Sequence, residues 1–355
     1  MLTDRTTLTQ FLIEERRRHP EASGELNALI LDVALACKAI SRAVARGALD
    51  GVLGGVTECP VAEARPKLEG VANALFVRSN EWGGHLAGMV SEAMEEPYAI
   101  PARYPKGRYL LVFDPLDGAS NIDLDVTVGS IFSILRAPLA GHDARTDDFL
   151  QTGECQVCAG YAIYGPATML VLTVGTGVHG FTLDPVLGEF FLTHPDLRVP
   201  PAASEFAINA SNSRFWEPAV KRYVEECLAG KSGPRGKDFS MRWIASLVAE
   251  THRILMRGGV FLDPRDTREA GKPGRLQQLF EANPIAFVME QAGGRASTGT
   301  GRVLAAPAEA LHQRVGFIFG SRDEVERIER YHRDHNLRDY DAPLFGVRGL
   351  FRAAV

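Results

Sequence analysis

Asp114-Pro115-Leu116-Asp117-Gly118-Ala119-Ser120-Asn121-Ile122-Asp123 decides how this chain is read. The segment follows Tyr109-Leu-Leu-Val-Phe113, an apolar run of the kind that forms a buried strand. Two carboxylates three residues apart therefore sit at the tip of a strand, and a loop of small residues follows at once. Hard cations such as Mg²⁺ take oxygen ligands from a few carboxylates and share a phosphate with them. A Gly-Ala-Ser loop lets backbone N–H groups approach that phosphate closely. One short stretch thus offers a metal cradle beside an anion cradle.

Further acids frame the segment. Ser91-Glu92 lies before the strand, with Glu95-Glu96 close behind it, and Glu281 precedes a helix expected to begin at Pro284. Asn283 reads as the cap of that helix, Pro284 as its first residue and Gly293 as its end. The positive end of the helix dipole would keep Glu281 ionised.

With 355 residues, 45% hydrophobic and 23% charged, the chain is long enough for two packed domains of ordinary globular composition. A net charge of −5 gives no electrostatic footprint for nucleic acid or an anionic membrane. No run reaches the ~20 apolar residues that span a bilayer, and the N-terminus shows no secretory signal, so a cytoplasmic location is expected. The five cysteines do not form a disulfide framework, and Cys155-Gln-Val-Cys158 lies on an expected strand whose alternation turns the two thiols to opposite faces. His252 reads as a helix histidine with a structural bond.

Helical spacing covers residues 24–46, with Ser23 as the cap, and a second helix is expected over Leu68 to Trp82. Strands are expected into Asp114 and over Val126 to Leu135, with a polar loop at 137–154. A meander of antiparallel strands should follow from Cys155 to Thr193. Past Pro200-Pro201 come a strand at Phe206, helices from Trp216 and Ile244, a strand at Val260 and a capping box at Ser321-Arg-Asp-Glu324. The order suggests a layered α/β or α+β structure with a boundary near residue 200.

Phe113-Asp-Pro-Leu-Asp-Gly-Ala-Ser-Asn-Ile-Asp123 resembles the signature of the class I fructose-1,6-bisphosphatases, within the wider superfamily of metal-dependent, lithium-sensitive sugar and inositol phosphatases. The resemblance runs from about Ser23 to Tyr331 through Gly160-Tyr-Ala-Ile-Tyr-Gly165, Leu183-Asp-Pro-Val-Leu-Gly-Glu189, Met241-Arg-Trp-Ile-Ala-Ser246, Gly258-Gly-Val-Phe-Leu262 and Glu281-Ala-Asn-Pro-Ile285. It implies an α/β fold of α/β/α/β/α layers with two packed sub-domains: residues 1–200 around metal and phosphate, 201–335 around the sugar phosphate, then a tail at 336–355. It also implies a homotetramer and Mg²⁺-dependent hydrolysis of the 1-phosphate of a sugar bisphosphate by water in line, with two or more Mg²⁺ per subunit and Mn²⁺ as an alternative. The implied ligands are Glu92, Asp114, Asp117, Glu281, the Leu116 carbonyl and Glu63. Asp117, Gly118, Ala119 and Ser120 would hold the leaving phosphate. Asn209 and Arg242 would grip the distal phosphate, with Arg242 reaching into a neighbouring subunit, and Arg275 would contact sugar and phosphate. Ser23, Gly24, Glu25, Arg108, Tyr109 and Arg136 match parts of an AMP site.

Four positions depart from the family pattern. Ala93 replaces a second acid after Glu92, leaving Glu69 as the water-activating carboxylate, with Glu95 or Glu96 as substitutes. Asp263 stands where a Tyr donates to the distal phosphate, with Arg265 near in sequence as the cation between two anions. Trp243 replaces a Tyr, and Gln277 replaces an Arg. These changes leave room for sedoheptulose-1,7-bisphosphatase activity, alone or in addition, or for a weakened paralogue that acts as a regulatory sugar-phosphate-binding subunit.

Overall fold

The computed structural model describes residues 5–18, 24–50, 67–268 and 273–334. Eight strands form a first sheet: β1 (Leu86–Ser91), β2 (Tyr98–Ala99), β3 (Tyr109–Asp117), β4 (Val128–Arg136), β5 (Gln156–Tyr164), β6 (Thr168–Thr173), β7 (His179–Asp184) and β8 (Glu189–His194). Their order is β2-β1-β3-β4-β5-β6-β7-β8, antiparallel throughout except for the β1–β3 pair. The expected meander is thus β5 to β8. A second sheet contains β9 (Glu205–Ile208), β10 (Ser240–Met241) and β11 (Val260–Asp263); β12 (Leu276–Gln277) stands apart from it. Strands β13 (Arg295–Ser297) and β15 (Phe317–Gly320) complete the second sheet in the order β10-β9-β11-β15-β13, and β14 (Arg314–Val315) pairs with β12.

The helices are α1 (Leu8–Arg17), α2 (Glu25–Arg46), α3 (Lys67–Asn80), the short α4 (Thr146–Phe149) inside the expected polar loop, α5 (Pro218–Ala229), α6 (Leu247–Arg257), α7 (Asn283–Gln291) and α8 (Arg322–Arg333). Side-chain alternation along the strands assigns each sheet face to a helical layer. Leu111 and Phe113 of β3 and Phe132 of β4 pack with α1, α2 and α3, and the Phe76 ring stacks on Phe113 with centroids 4.6 Å apart. Ile131, Tyr161 and Val171 face the other way, onto Val248 and Ile254 of α6 and Ile285 and Met289 of α7. Phe261 and Phe319 of the second sheet join that same cluster, whereas Val260, Leu262 and Ile318 turn to α5 and α8. The result is five layers, α/β/α/β/α, with α6 and α7 shared between the sheets.

Several local expectations are corrected. The cap position of α2 is Gly24, with φ +87°, while Ser23 lies outside the described residues. Asn283 is not a cap: a π-helical segment, Gln278–Ala282, precedes α7 and leaves Asn283 helical at φ −63°. The capping box at Ser321 does not form, because both side chains are taken by tertiary contacts. Gly259 N–H donates to Ser321 Oγ at 3.2 Å, and Glu324 accepts from Arg235 at 2.6 Å and from the Tyr223 hydroxyl at 2.8 Å. Cys155 is exposed and Cys158 is buried, and both are free thiols. Burial pushes His252 down to about 4, and its Nδ1 lies 3.0 Å from the Tyr161 hydroxyl, a structural role.

Arg235 and Glu324 form a desolvated pair, each side chain under 5% exposed at 4% and 3%. Removing one partner strands the other's charge in the core, which costs roughly 3–5 kcal/mol. Glu324→Ala should therefore lower the denaturant midpoint by that much stability in chemical unfolding, whereas Glu326→Ala, on the same helix, should leave it nearly unchanged.

Candidate active site

The tip of β3 is fastened to the start of α6. Asp117 Oδ2 accepts from the Ser246 hydroxyl at 2.7 Å and from Val248 N–H at 2.8 Å, and Oδ1 accepts from Leu247 N–H at 3.2 Å. A helix N-terminus leaves these N–H groups unpaired and carries partial positive charge, so a carboxylate completes it. Ser246 is also the cap of α6, accepting from Ala249 N–H at 3.3 Å. Gly118 has φ +75°, and a Cβ there would come within 3.0 Å of Ser246 Cβ, so the turn needs glycine. Asn121 donates to the carbonyls of Ile244 and Ala245 at 3.2 and 3.4 Å, which holds the 118–121 loop against the same helix end. Ala119 is half-buried and Ser120 exposed.

Asp114, Asp117 and Glu281 each bring a carboxylate oxygen within 4.8 Å of the others, all three buried. Leu116 N–H donates to Asp114 Oδ1 at 2.9 Å, and Gln277 N–H donates to Glu281 Oε2 at 2.5 Å. Glu281 therefore lies inside the first π turn rather than ahead of the helix, still at its positive end. Burial pushes Asp114 well above the usual carboxylate range, and the Glu92, Asp117 and Glu281 charges add to it. Glu281 is driven well above its usual value by burial and then by Glu92, and Asp117 is raised by burial against the pull of its three donors. Glu92 is half-buried and accepts from Gln277 Nε2 at 2.8 Å. Converging, desolvated carboxylate oxygens are the donor set of a hard divalent ion.

Of the residues expected around a distal phosphate, Asn209 and Asp263 stand at the ends of the neighbouring parallel strands β9 and β11, whereas Arg242 lies beside Glu205 at the start of β9. Asn209 follows β9, and its Oδ1 accepts from Ser211 N–H at 3.2 Å. Neighbouring β11 ends at Asp263, which accepts from Arg275 Nε at 3.0 Å. Arg275 is thus the cation beside Asp263; Arg265, expected in that place, donates to Glu217 at 2.6 Å instead. Asp263 also adds to the raised state of Glu281, so this pair borders the acid cluster. Trp243 lies flat over Phe261 at 6.0 Å, and Arg242 is half-exposed with Nε 3.6 Å from Glu205.

Glu69 occupies the first turn of α3 and is half-buried. Glu95 and Glu96 are exposed on the turn after β1. Glu63 and the 336–355 tail lie outside the described residues. Gly24, Arg108, Tyr109 and Arg136 line a separate cavity of about 360 Å³, together with Arg16, where Glu25 pairs with Arg108 at 2.7 Å. Sequence reading missed Ser246, because the helix was expected to start at Ile244 and the Ser-x-x-Ala cap was read as helix interior. It also missed His312, whose Nδ1 lies 2.8 Å from Gln277 Oε1; no local spacing announces a contact across 35 residues.

Residues 6–195 match the fructose-1,6-bisphosphatase N-terminal domain family, and residues 199–333 match its C-terminal domain family. A class 1 fructose-1,6-bisphosphatase of Methylibium petroleiphilum is 65% identical over 351 residues, covering 99% of this chain and 98% of that protein. A class 1 enzyme of Hydrogenophilus thermoluteolus is 65% identical over 348 residues, covering 98% and 97%. Among solved structures, the holo form of Leishmania major fructose-1,6-bisphosphatase superposes with a TM-score of 0.84 at 36% identity, covering 93% of this chain and 99% of that one. The apo form gives 0.82 at 35%, covering 93% and 100%. Sequence identity along nearly the whole length and agreement of the layered fold together establish that this chain belongs to the fructose-1,6-bisphosphatase family.

Proposed function

We propose that this protein hydrolyses the 1-phosphate of fructose 1,6-bisphosphate, giving fructose 6-phosphate and phosphate, with Mg²⁺ held by Asp114, Asp117, Glu281, Glu92 and the Leu116 carbonyl. The observation that carries the reading is the convergence of three buried carboxylates within 4.8 Å in a chain 65% identical to named fructose-1,6-bisphosphatases. A divalent cation bound there would neutralise phosphate charge and acidify a water. The protein's own part is positional. The 117–120 loop offers backbone donors to the leaving phosphate. Asn209, Arg242 and Arg275 supply donors at the distal end, and Trp243 offers a flat apolar face. Asp263 shares Arg275 with the substrate, so the distal phosphate meets a partly neutralised guanidinium, and Glu69 is the acid assigned to water. We further infer a division of the chain near residue 200, supported by the two separate sheets, and a homotetramer by family likeness.

A second reading concerns regulation. The cavity lined by Gly24, Arg108, Tyr109 and Arg136 places arginines at the start of a long helix, a setting suited to a nucleotide phosphate. AMP is the ligand this reading assigns, with Glu25 released from Arg108 on binding.

Chelation with EDTA should abolish phosphate release, and Mg²⁺ should restore it. Asp114→Asn should lower kcat by at least roughly 10²-fold, the scale of losing one preorganised charge-stabilising group. No phosphate release from fructose 1,6-bisphosphate at any Mg²⁺ level would sink the reading. A kcat/KM for sedoheptulose 1,7-bisphosphate equal to or above that for fructose 1,6-bisphosphate would reassign the principal substrate. For the second cavity, losing one arginine–phosphate contact is worth roughly 1.5–3 kcal/mol. Arg136→Ala should therefore raise the AMP concentration for half-inhibition about tenfold or more without changing kcat; AMP-insensitive wild-type activity would remove the assignment.

A further inference from the structure

Gln277 touches two acids of the cluster at once. Its backbone N–H donates to Glu281 Oε2 at 2.5 Å, and its side-chain Nε2 donates to Glu92 Oε1 at 2.8 Å. The two acids come from distant parts of the chain: Glu92 follows β1 of the first sheet, and Glu281 lies in the turn ahead of α7. Gln277 is 5% exposed, so its amide bonds are sheltered from competing water.

Facing a carboxylate fixes the orientation of that amide. Its NH₂ must point to Glu92 and its carbonyl away, and the carbonyl meets His312 Nδ1 at 2.8 Å. The other ring nitrogen, Nε2, lies 2.9 Å from the Met94 carbonyl, and the ring leans on Phe280 with centroids 5.2 Å apart. Met94 belongs to the same turn as Glu92, closed by Met94 N–H on the Ser91 carbonyl at 3.1 Å. Both atoms facing the ring are acceptors, so His312 holds the two together only with an N–H on each nitrogen; in that form Gln277 and His312 seize one short turn at two points, the Glu92 side chain and the backbone two residues on.

We infer that Gln277 and His312 act together as a positioning pair that holds Glu92 in place for a divalent cation, His312 acting through the orientation it imposes on the Gln277 amide. Both act through Glu92. This arrangement belongs to a chain with Ala at position 93 and a neutral side chain at 277, so it fixes Glu92 by hydrogen bonds where no guanidinium is present. The inference rests on the reading that the acid cluster binds a divalent cation.

The test is Mn²⁺ binding to the full-length protein, followed by loss of the free-ion EPR signal, for wild type, Gln277→Met, His312→Phe and the double variant. Partners of metal ligands typically govern affinity by 10–100-fold. Gln277→Met should weaken Mn²⁺ about tenfold. His312→Phe, which keeps a ring against Phe280, should weaken it by a smaller factor and raise the Mg²⁺ concentration for half-maximal activity, with KM for fructose 1,6-bisphosphate unchanged. The double variant should bind more tightly than the product of the two single losses predicts, because part of what His312 does passes through the Gln277 amide. Wild-type affinity in both single variants, or losses that multiply in the double variant, would overturn the pairing. If wild type itself binds no Mn²⁺, the reading of the cluster as a metal site falls.

Discussion

The grip of the α6 N-terminus on Asp117 is the contact on which the rest of this molecule depends. One carboxylate, at the last residue of a strand in the first sheet, receives one hydroxyl and two backbone donors from the helix between the sheets. Charge-assisted bonds of this kind are stronger than neutral ones, and burial keeps water from competing for them. The grip sets the distance between the two sheets at the strand tip, aims the following loop, and places Asp117 where Asp114 and Glu281 converge. Three donors oppose the burial of Asp117, whereas Asp114 has one backbone donor set against burial and like-charged neighbours, a strain that a cation or a proton relieves. A ligand that binds only the folded cluster would add its binding free energy to stability.

Much of this was legible in the sequence for a physical reason. The apolar run at 109–113, the two aspartates and the small-residue loop are local features, and local features survive in one dimension. Strand alternation read less well at the cysteines: Cys158 is buried on β5, but Cys155 ends a 3-10 turn, Gly153–Cys155, just before the strand, so its exposure does not come from the pleat. What could not be read were partners distant in the chain. Arg265 is two residues from Asp263, yet the bond goes to Arg275, because the strand end turns Arg265 towards Glu217. Ser321-x-x-Glu324 has the pattern of a capping box, but Gly259 and Arg235 claim both side chains. The π turn before α7 likewise hides from a pattern in which Asn-Pro normally opens a helix.

Two of the expected departures from the family pattern, Asp263 and Gln277, border the acid cluster. Asp263 and Arg275 satisfy each other beside the acids, and Gln277 bridges Glu92 to His312. Asp263 and Gln277, which look isolated in the sequence, each have a hydrogen-bonded side-chain partner in space, whereas Trp243 has the Phe261 ring. The neutral Gln277 amide serves as donor to one side and acceptor to the other, which a guanidinium cannot do.

The middle helical layer carries a consequence for how the chain acquires its shape. Ile131 and Tyr161 of the first sheet, Phe261 and Phe319 of the second, and α6 and α7 share one apolar cluster. Neither half can bury its inner face before the other arrives, so folding waits on contacts between residues more than a hundred positions apart. Such long-range closure slows folding. A newly made first half would present Ile131, Tyr161 and Val171 to solvent, making it a client for chaperones until α6 emerges.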